Sequence, residues 1–243
     1  MSKFISLITF FSLLITINSN AANRYWITGV ASNWNNTANW STGSGGAGGA
    51  SVPIAGDFVF FNANGLGNCT LDIAANFDGV NTTGYTGVID LAGFSFNPAV
   101  SGAAACTFAS GTINDTPSSS SVAFVSSGNM VFSGTVFSTP ITITAGRVAF
   151  NGGVYNNPVV VIVNGASNVN GAGGCVFNST LKVTTVGTNY FLMGITNPDI
   201  FNGDVTFINN GTSRIRVAYS TAGNQFNGNI TVGSTVGTGV IPV

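Results

Sequence analysis

The feature that most constrains this chain is a short segment that occurs twice near its end. Residues 200–207 have the sequence IFNGDVTF, and residues 225–232, which begin 25 positions later, have the sequence QFNGNITV. A unit of this length is too short to bury its own apolar face, so it must stack on its neighbours. The repeat therefore predicts a solenoid.

Weaker copies of the Phe-Asn signature precede these two at an interval that drifts. They begin at Phe96, Phe132, Phe150 and Phe177. The interval is longest between Phe96 and Phe132 and shortest between Phe132 and Phe150. A solenoid tolerates such drift, because its loops can vary in length while a short strand keeps its register.

Apolar and polar residues alternate inside each copy. The positions four and six residues after the Phe are aliphatic or aromatic in the last three copies: Leu181, Val183, Val205, Phe207, Ile230 and Val232. The position between them is Lys182, Thr206 or Thr231, and residues 214–219 alternate in the same way. A period of two in β-branched and aromatic residues predicts strands with one face inside. We therefore expect an all-β fold, a single right-handed parallel β-helix with the signature Phe stacked inside it.

The Asn after the Phe recurs as well, at Asn151, Asn178, Asn202 and Asn227. Stacked strands lie about 4.8 Å apart, so identical amides can hydrogen-bond along a column and to the neighbouring turn. The Gly that often comes next permits the positive φ of a tight corner. We interpret Phe-Asn-Gly as the end of a strand that turns a corner; a ligand-binding Asn column is the alternative.

Residues 1–22 have the composition of a secretory signal peptide. Lys3 precedes an apolar run over residues 4–17, and small residues lead to Ala21 and Ala22, near which we expect cleavage. A membrane anchor is the alternative, but the run is shorter than the roughly 20 residues that span a bilayer. The sequence thus predicts a mature protein that is secreted or held at the outer cell surface, without a membrane span.

The charge composition limits the partners and cofactors that we expect. The 243 residues include six Lys or Arg and seven acidic residues, all of them Asp, and there is no His. Nucleic acid and anionic membranes need a basic patch, so neither is expected as a partner. Because the chain has no His and no CxxC pair, we expect no metal site, and no cofactor.

Residues 23–61 form an aromatic-rich stretch that does not repeat. It contains all three Trp of the chain, Trp26, Trp34 and Trp40. A solenoid needs a cover over its first coil, since an open edge would pair with another chain. We therefore predict a capping region at 23–61 and β-helix repeats over 62–243. The alternative is that the three Trp side chains contact a ligand by stacking on sugar rings.

Two groups of residues carry a resemblance to a known family: the N-terminal pattern Trp26-x7-Trp34-x5-Trp40-Ser41 with Val52-Pro53-x3-Asp57-x-Val59, and the repeats at 197–207 and 222–232. They resemble large repetitive surface proteins secreted by Bacteroidota, and the likeness covers most of the mature chain. The resemblance implies a parallel β-helix of adhesin-like architecture and export through the type IX system. Such proteins end in a sorting domain, whereas this chain stops at Val243 within a repeat-like sequence, so we expect the repeats to be truncated at the C-terminus.

The three Cys residues, Cys69, Cys106 and Cys175, are an odd number for an exported chain. A disulfide between Cys69 and Cys106 would leave one thiol free. The alternative is that all three are small apolar residues in stacked core positions.

Catalysis on a β-helix requires clustered carboxylates, and the best local pair is Asp199 and Asp204. Neighbouring repeats hold uncharged residues at these two positions: Cys175 and Asn224 at the first, Thr180 and Asn229 at the second. A position that accepts an amide or a hydroxyl is typical of a turn rather than of a reaction centre. We therefore assign no catalytic residue.

These observations favour a non-catalytic structural or adhesin-like module that binds glycans or extracellular proteins. One alternative is a glycan-processing β-helix lyase or hydrolase, because stacking could still gather the scattered Asp residues. Another is an ice-binding solenoid, which needs a flat outward ladder of Thr. Thr142 with Thr144, and Thr206 with Thr231, are the hints of such a ladder.

Overall fold

The computed structural model describes residues 21–98, 106–117, 122–166, 169–188, 190–212, 214–234 and 240–242. The predicted signal peptide lies outside these ranges except for its last two residues. Within them the chain forms one 3-10 helix, Thr37–Asn39, and a series of short strands. The strands are β1 Asn23–Trp26, β2 Ser32–Asn33, β3 Trp40–Ser41, β4 Phe58–Phe60, β5 Cys69–Thr70, β6 Ala75–Phe77, β7 Gly79–Asn81, β8 Val88–Asp90, β9 Phe96–Pro98, β10 Cys106–Phe108, β11 Thr112–Asn114, β12 Val122–Phe132, β13 Val136–Phe137, β14 Ile141–Phe150, β15 Gly153–Tyr155, β16 Val159–Val163, β17 Val169–Asn170, β18 Cys175–Phe177, β19 Leu181–Thr185, β20 Phe191–Leu192, β21 Ile200–Phe201, β22 Val205–Asn209, β23 Ile215–Val217, β24 Gln225–Phe226, β25 Ile230–Ser234 and β26 Val240–Pro242.

The strands stack as successive coils. A nine-stranded sheet has the order β2-β5-β8-β11-β13-β15-β18-β21-β24, and an eleven-stranded sheet has the order β25-β22-β19-β16-β14-β12-β10-β7-β4-β1-β3. A four-stranded sheet, β17-β20-β23-β26, and a two-stranded sheet, β6-β9, complete the described part of the wall. Apart from the antiparallel pair β1 and β3, the described neighbours run parallel, as in β18, β21 and β24. The predicted all-β parallel solenoid is confirmed.

Two long strands, β12 and β14, each belong to two faces of the coil. Their pairing shifts register between Ser126 and Asn129. Residues 130–132 of β12 pair with β10, whereas residues 141–145 of β14 pair with β16. Each long strand therefore bends around a corner and joins two faces.

The last three signature Phe residues form one column inside the nine-stranded sheet, as predicted. The ring centroids of Phe177 and Phe201 are 5.3 Å apart and those of Phe201 and Phe226 are 4.7 Å apart, with nearly parallel planes. The column continues through Tyr155 and Phe137, at centroid spacings of 4.6 and 5.4 Å. Five aromatic rings therefore stack along the axis of the solenoid.

The three earlier copies of the signature belong to other columns, so that part of the prediction is wrong. Phe132 and Phe150 are register partners in β12 and β14, and Phe96 lies in β9. Each coil has several inward aromatic positions, and strands on different faces end in similar residues. The partner of Phe177 in the preceding coil is Tyr155, which a pattern based on Phe does not detect.

The predicted alternation inside the strands is confirmed. Four of the expected inward residues are buried: Leu181, Val183, Val205 and Phe207. Ile230 and Val232 keep the same register on β25 but are 44% and 46% exposed, because β25 is the outermost strand of the eleven-stranded sheet.

The Trp-rich segment packs at the other end of the stack. Trp26, Trp34 and Trp40 are fully buried, and Trp40 meets the other two rings edge-on at centroid distances of 5.2 and 4.8 Å. β3, which contains Trp40, runs antiparallel to β1 at the outer edge of the eleven-stranded sheet. A reversed strand at the edge, backed by large buried rings, is the arrangement expected of a cap.

Shortening Phe201 to Ala should lower the free energy of unfolding by about 3–5 kcal/mol, because the change removes a buried ring that is stacked on both faces. Phe226→Ala should cost clearly less, since Phe226 is partly buried and stacks on Phe201 alone among the described rings. Urea unfolding followed by circular dichroism measures both variants. Equal losses would contradict the stacked column.

Candidate functional site

The three Trp residues expected as possible ligand contacts are not accessible. Each has 0% of its surface exposed. The indole N–H of Trp26 donates to the Gly67 carbonyl at 2.8 Å, and that of Trp40 donates to the Trp34 carbonyl at 2.7 Å. A buried ring presents no face to a sugar, so the expectation of ligand contact at these residues is corrected. Their rings instead fill the core beneath the first coil.

The carboxylates of the chain connect neighbouring coils. All seven Asp side chains accept a backbone N–H from a residue 22 to 37 positions away: Asp57 from Ala22, Asp72 from Asn35, Asp78 from Gly56, Asp90 from Thr116, Asp115 from Gly93, Asp199 from Cys175 and Asp204 from Asn229. The N···O distances run from 2.7 to 3.3 Å. Each carboxylate therefore satisfies a backbone donor of another coil.

The column that contains Asp199 shows that this role needs an acceptor rather than a charge. The Cys175 N–H donates to Asp199 Oδ1 at 2.9 Å, and one coil later the Asp199 N–H donates to Asn224 Oδ1 at 2.8 Å. The same bond is thus made by a carboxylate in one coil and by an amide in the next. This geometry agrees with the turn chemistry that the alignment predicted for the position.

Asp199 nevertheless has an unusual environment. It has no exposed surface, and its Oδ2 has no hydrogen-bond partner among the described residues. Burial raises the pKa of Asp199 to about 6, although the N–H donated by Cys175 opposes the shift. Burial also raises the pKa of the neighbouring Cys175 thiol and Tyr155 hydroxyl well above their usual values. Burial therefore keeps the Cys175 thiol and the Tyr155 hydroxyl protonated beside Asp199.

Of the two possibilities for the Cys residues, the structure supports the one without a disulfide, in which all three are core residues. Cys69, Cys106 and Cys175 are free thiols with no exposed surface. Cys69 lies in the nine-stranded sheet and Cys106 in the eleven-stranded sheet, where each replaces an aliphatic residue in the core. Burial raises the pKa of Cys69 and of Cys106, which keeps both as protonated, unreactive thiols.

No metal centre is assembled by the residues that the structure describes. Nowhere in those ranges do three or more His, Cys, Asp or Glu side chains come together. The same ranges contain no helix of the length and apolarity that crossing a bilayer requires.

The Asn column forms on the outer surface. The side chain of Asn178 donates to Asn156 Oδ1 at 2.9 Å, Asn202 donates to Asn178 at 2.8 Å, and Asn227 donates to Asn202 at 2.8 Å. These exposed amides thus satisfy one another, as the structural interpretation predicted. Asn151 is the exception, since its Oδ1 accepts the Ala172 N–H instead and Asn156 takes its place in the column.

One broad outer face is weakly polar. On the eleven-stranded sheet, the pairing of β14, β16, β19, β22 and β25 places these residues in two outward columns: Thr142, Val160, Lys182, Thr206 and Thr231 in the first, and Thr144, Ile162, Thr184, Ile208 and Gly233 in the second. The two pairs of Thr noted in the sequence therefore share one face. The Thr ladder that ice binding would need is interrupted by aliphatic residues and by Lys182.

No family model, curated protein or solved structure matches this chain.

Replacing Asp199 by Asn should remove a pH-dependent loss of stability. Because the native pKa of Asp199 is raised to about 6, the native state binds the proton more tightly than the unfolded chain does, so this group lowers stability as pH rises from about 4 to 6. We expect Asp199→Asn to be more stable than the wild type above pH 6, by up to roughly 3 kcal/mol, with the difference vanishing near pH 4.

Denaturant unfolding at a series of pH values measures this difference. Asp204→Asn is the matched control, since Asp204 is exposed and makes the same type of bond to the next coil. A difference between wild type and Asp199→Asn that does not change between pH 4 and pH 7 would contradict the role assigned to burial.

Proposed function

We propose that this protein is an exported, non-catalytic solenoid that serves as a structural, adhesin-like module outside the cell. The observation that carries the proposal is the use of all seven Asp side chains as hydrogen-bond acceptors between coils. A glycan lyase or hydrolase needs a carboxylate free to exchange a proton with its substrate. In this protein each Asp side chain instead accepts a hydrogen bond from a backbone N–H of another coil.

The arrangement of the surface and the interior supports the same proposal. Aromatic rings fill the axis of the described coils, as in the column from Phe137 to Phe226. The outer surface carries amides and hydroxyls at the regular spacing of the coils, as in the Asn column. A rigid rod with repeated, weakly charged flanks suits contacts spread along its length with glycans or neighbouring proteins.

Incubating the protein with a panel of neutral and acidic polysaccharides should produce no new reducing ends and no unsaturated products. The carboxylates that such chemistry would use already bind backbone N–H groups of adjacent coils. Reducing-end assays and absorbance of unsaturated sugars check the result. Product formation by the wild type that is lost in a folded Asp204→Ala variant would overturn the proposal in favour of an enzyme.

If the predicted signal peptide is removed, the contacts of Ala22 favour one cleavage position. Its N–H donates to Asp57 Oδ1 at 3.0 Å, and its carbonyl accepts the Phe58 N–H at 2.9 Å. Cleavage after Ala21 would leave the new ammonium of Ala22 beside the buried Asp57 carboxylate, as a charge-assisted hydrogen bond. Cleavage after Ala22 would remove both contacts.

The exported protein should therefore begin at Ala22, and intact-mass measurement of the secreted material checks this. Asp57→Asn should then destabilise a protein that begins at Ala22 by about 1.5–3 kcal/mol. A protein that begins at Ala21 is the matched control and should lose less. An exported form that begins at Asn23 would contradict the assignment.

A further inference from the structure

Two exposed tyrosines flank one arginine on the outer wall of the four-stranded sheet. Arg216 lies in the middle of β23, between the buried Ile215 and Val217, so its side chain points outward. Its guanidinium carbon is 4.8 Å from the ring centroid of Tyr219 and 6.0 Å from that of Tyr190. The rings come from different coils, because Tyr190 precedes β20 and Tyr219 follows β23.

The backbone after β23 places Tyr219 over the guanidinium. Ala218 has a positive φ of 57°, which only a few non-glycine residues adopt. The corresponding residue one coil earlier is Gly194, with a φ of 65°. The corner is held because Tyr219 N–H donates to the Met193 carbonyl at 3.1 Å. A backbone turn that both coils share therefore places Tyr219 directly after β23, beside Arg216.

The charge of Arg216 is not neutralised within the described part of the chain. The salt bridge found there joins Arg24 to Asp57, and the guanidinium of Arg216 forms neither an ion pair nor a hydrogen bond with described residues. Tyr190 and Tyr219 are 38% and 41% exposed. Arg214, two positions before Arg216, is exposed as well. This patch thus presents positive charge and two accessible aromatic rings on a surface that otherwise has few charges.

A guanidinium stacked on a ring keeps its in-plane N–H donors, which match the two oxygens of a carboxylate. Exposed Tyr rings offer flat apolar faces with a polar rim, which suit the apolar face of a sugar ring. An acidic peptide would satisfy the arginine but would leave the two rings without a partner of matching shape. A sugar that carries its own carboxylate satisfies both features.

We propose that Tyr190, Arg216 and Tyr219 form a binding site for a uronate-bearing polysaccharide. Arg216 pairs with the uronate carboxylate, and the two tyrosines pack against the sugar rings on either side of it. This inference deepens the proposed adhesin-like function by naming a ligand class for the surface, and it rests on that function.

The test is binding of the full chain to polygalacturonate, measured by titration calorimetry at low salt. The fully methyl-esterified polymer is the matched ligand, because it keeps the sugar rings and removes the charge. We expect binding to polygalacturonate and at least tenfold weaker binding to the ester, with affinity that falls as salt is added.

Variants locate the site. Arg216→Ala and Tyr219→Ala should each weaken binding by about tenfold or more, and Arg216→Lys should fall between them and the wild type because it keeps the charge but loses the planar fork. Lys182→Ala is the control, since it removes one exposed cation from another sheet and should leave binding within about twofold. Circular dichroism confirms that each variant is folded.

Three results would overturn the proposal: no binding of polygalacturonate, equal binding of the ester, or unchanged binding in folded Arg216→Ala. Competition by polyglutamate as strong as by polygalacturonate would also overturn it, in favour of a site for acidic peptide. Cleavage of the polymer would refute the non-catalytic function instead, so the two failures are distinguishable.

Discussion

Parallel hydrogen bonding between successive coils is the constraint on which the rest of this structure depends. It sets strands about 4.8 Å apart, so the closest neighbours of a side chain are the equivalent side chains one coil before and one coil after. Flat rings fit this spacing, as the centroid distances of 4.6 Å from Tyr155 to Phe177 and 5.3 Å from Phe177 to Phe201 show. A single coil cannot bury such rings, so the fold is stabilised by the contacts between stacked coils.

Polar side chains also interact mainly with the equivalent positions of the neighbouring coils. Asn178 and Asn202 bond along their column, and Asp199 and Asn224 make the same bond to a backbone N–H in successive coils. The seven Asp carboxylates each accept a backbone N–H from another coil, so they contribute to holding the coils together. Arg216 differs from these groups, because no described carboxylate balances its charge on the outer wall.

The sequence by itself determined the architecture and the most regular part of the stack. Alternating apolar residues and a unit too short to fold alone require stacked strands, and the last coils are nearly constant in length. Simple alignment therefore found the column of Phe177, Phe201 and Phe226 and the accompanying amides. It failed upstream, because Tyr155 replaces Phe in that column and the preceding coil is shorter.

Only the tertiary structure decided which groups are buried and which meet across coils. From the sequence alone, the three Trp residues could form either a cap or a sugar-binding site. In the structure they pack against the first coil and are buried. Tyr190 and Arg216 belong to different coils and meet because β20 and β23 pair in parallel. Local patterns fix which face of a strand is apolar, but the length of each loop fixes its register. The register, in turn, determines which side chains are neighbours in successive coils.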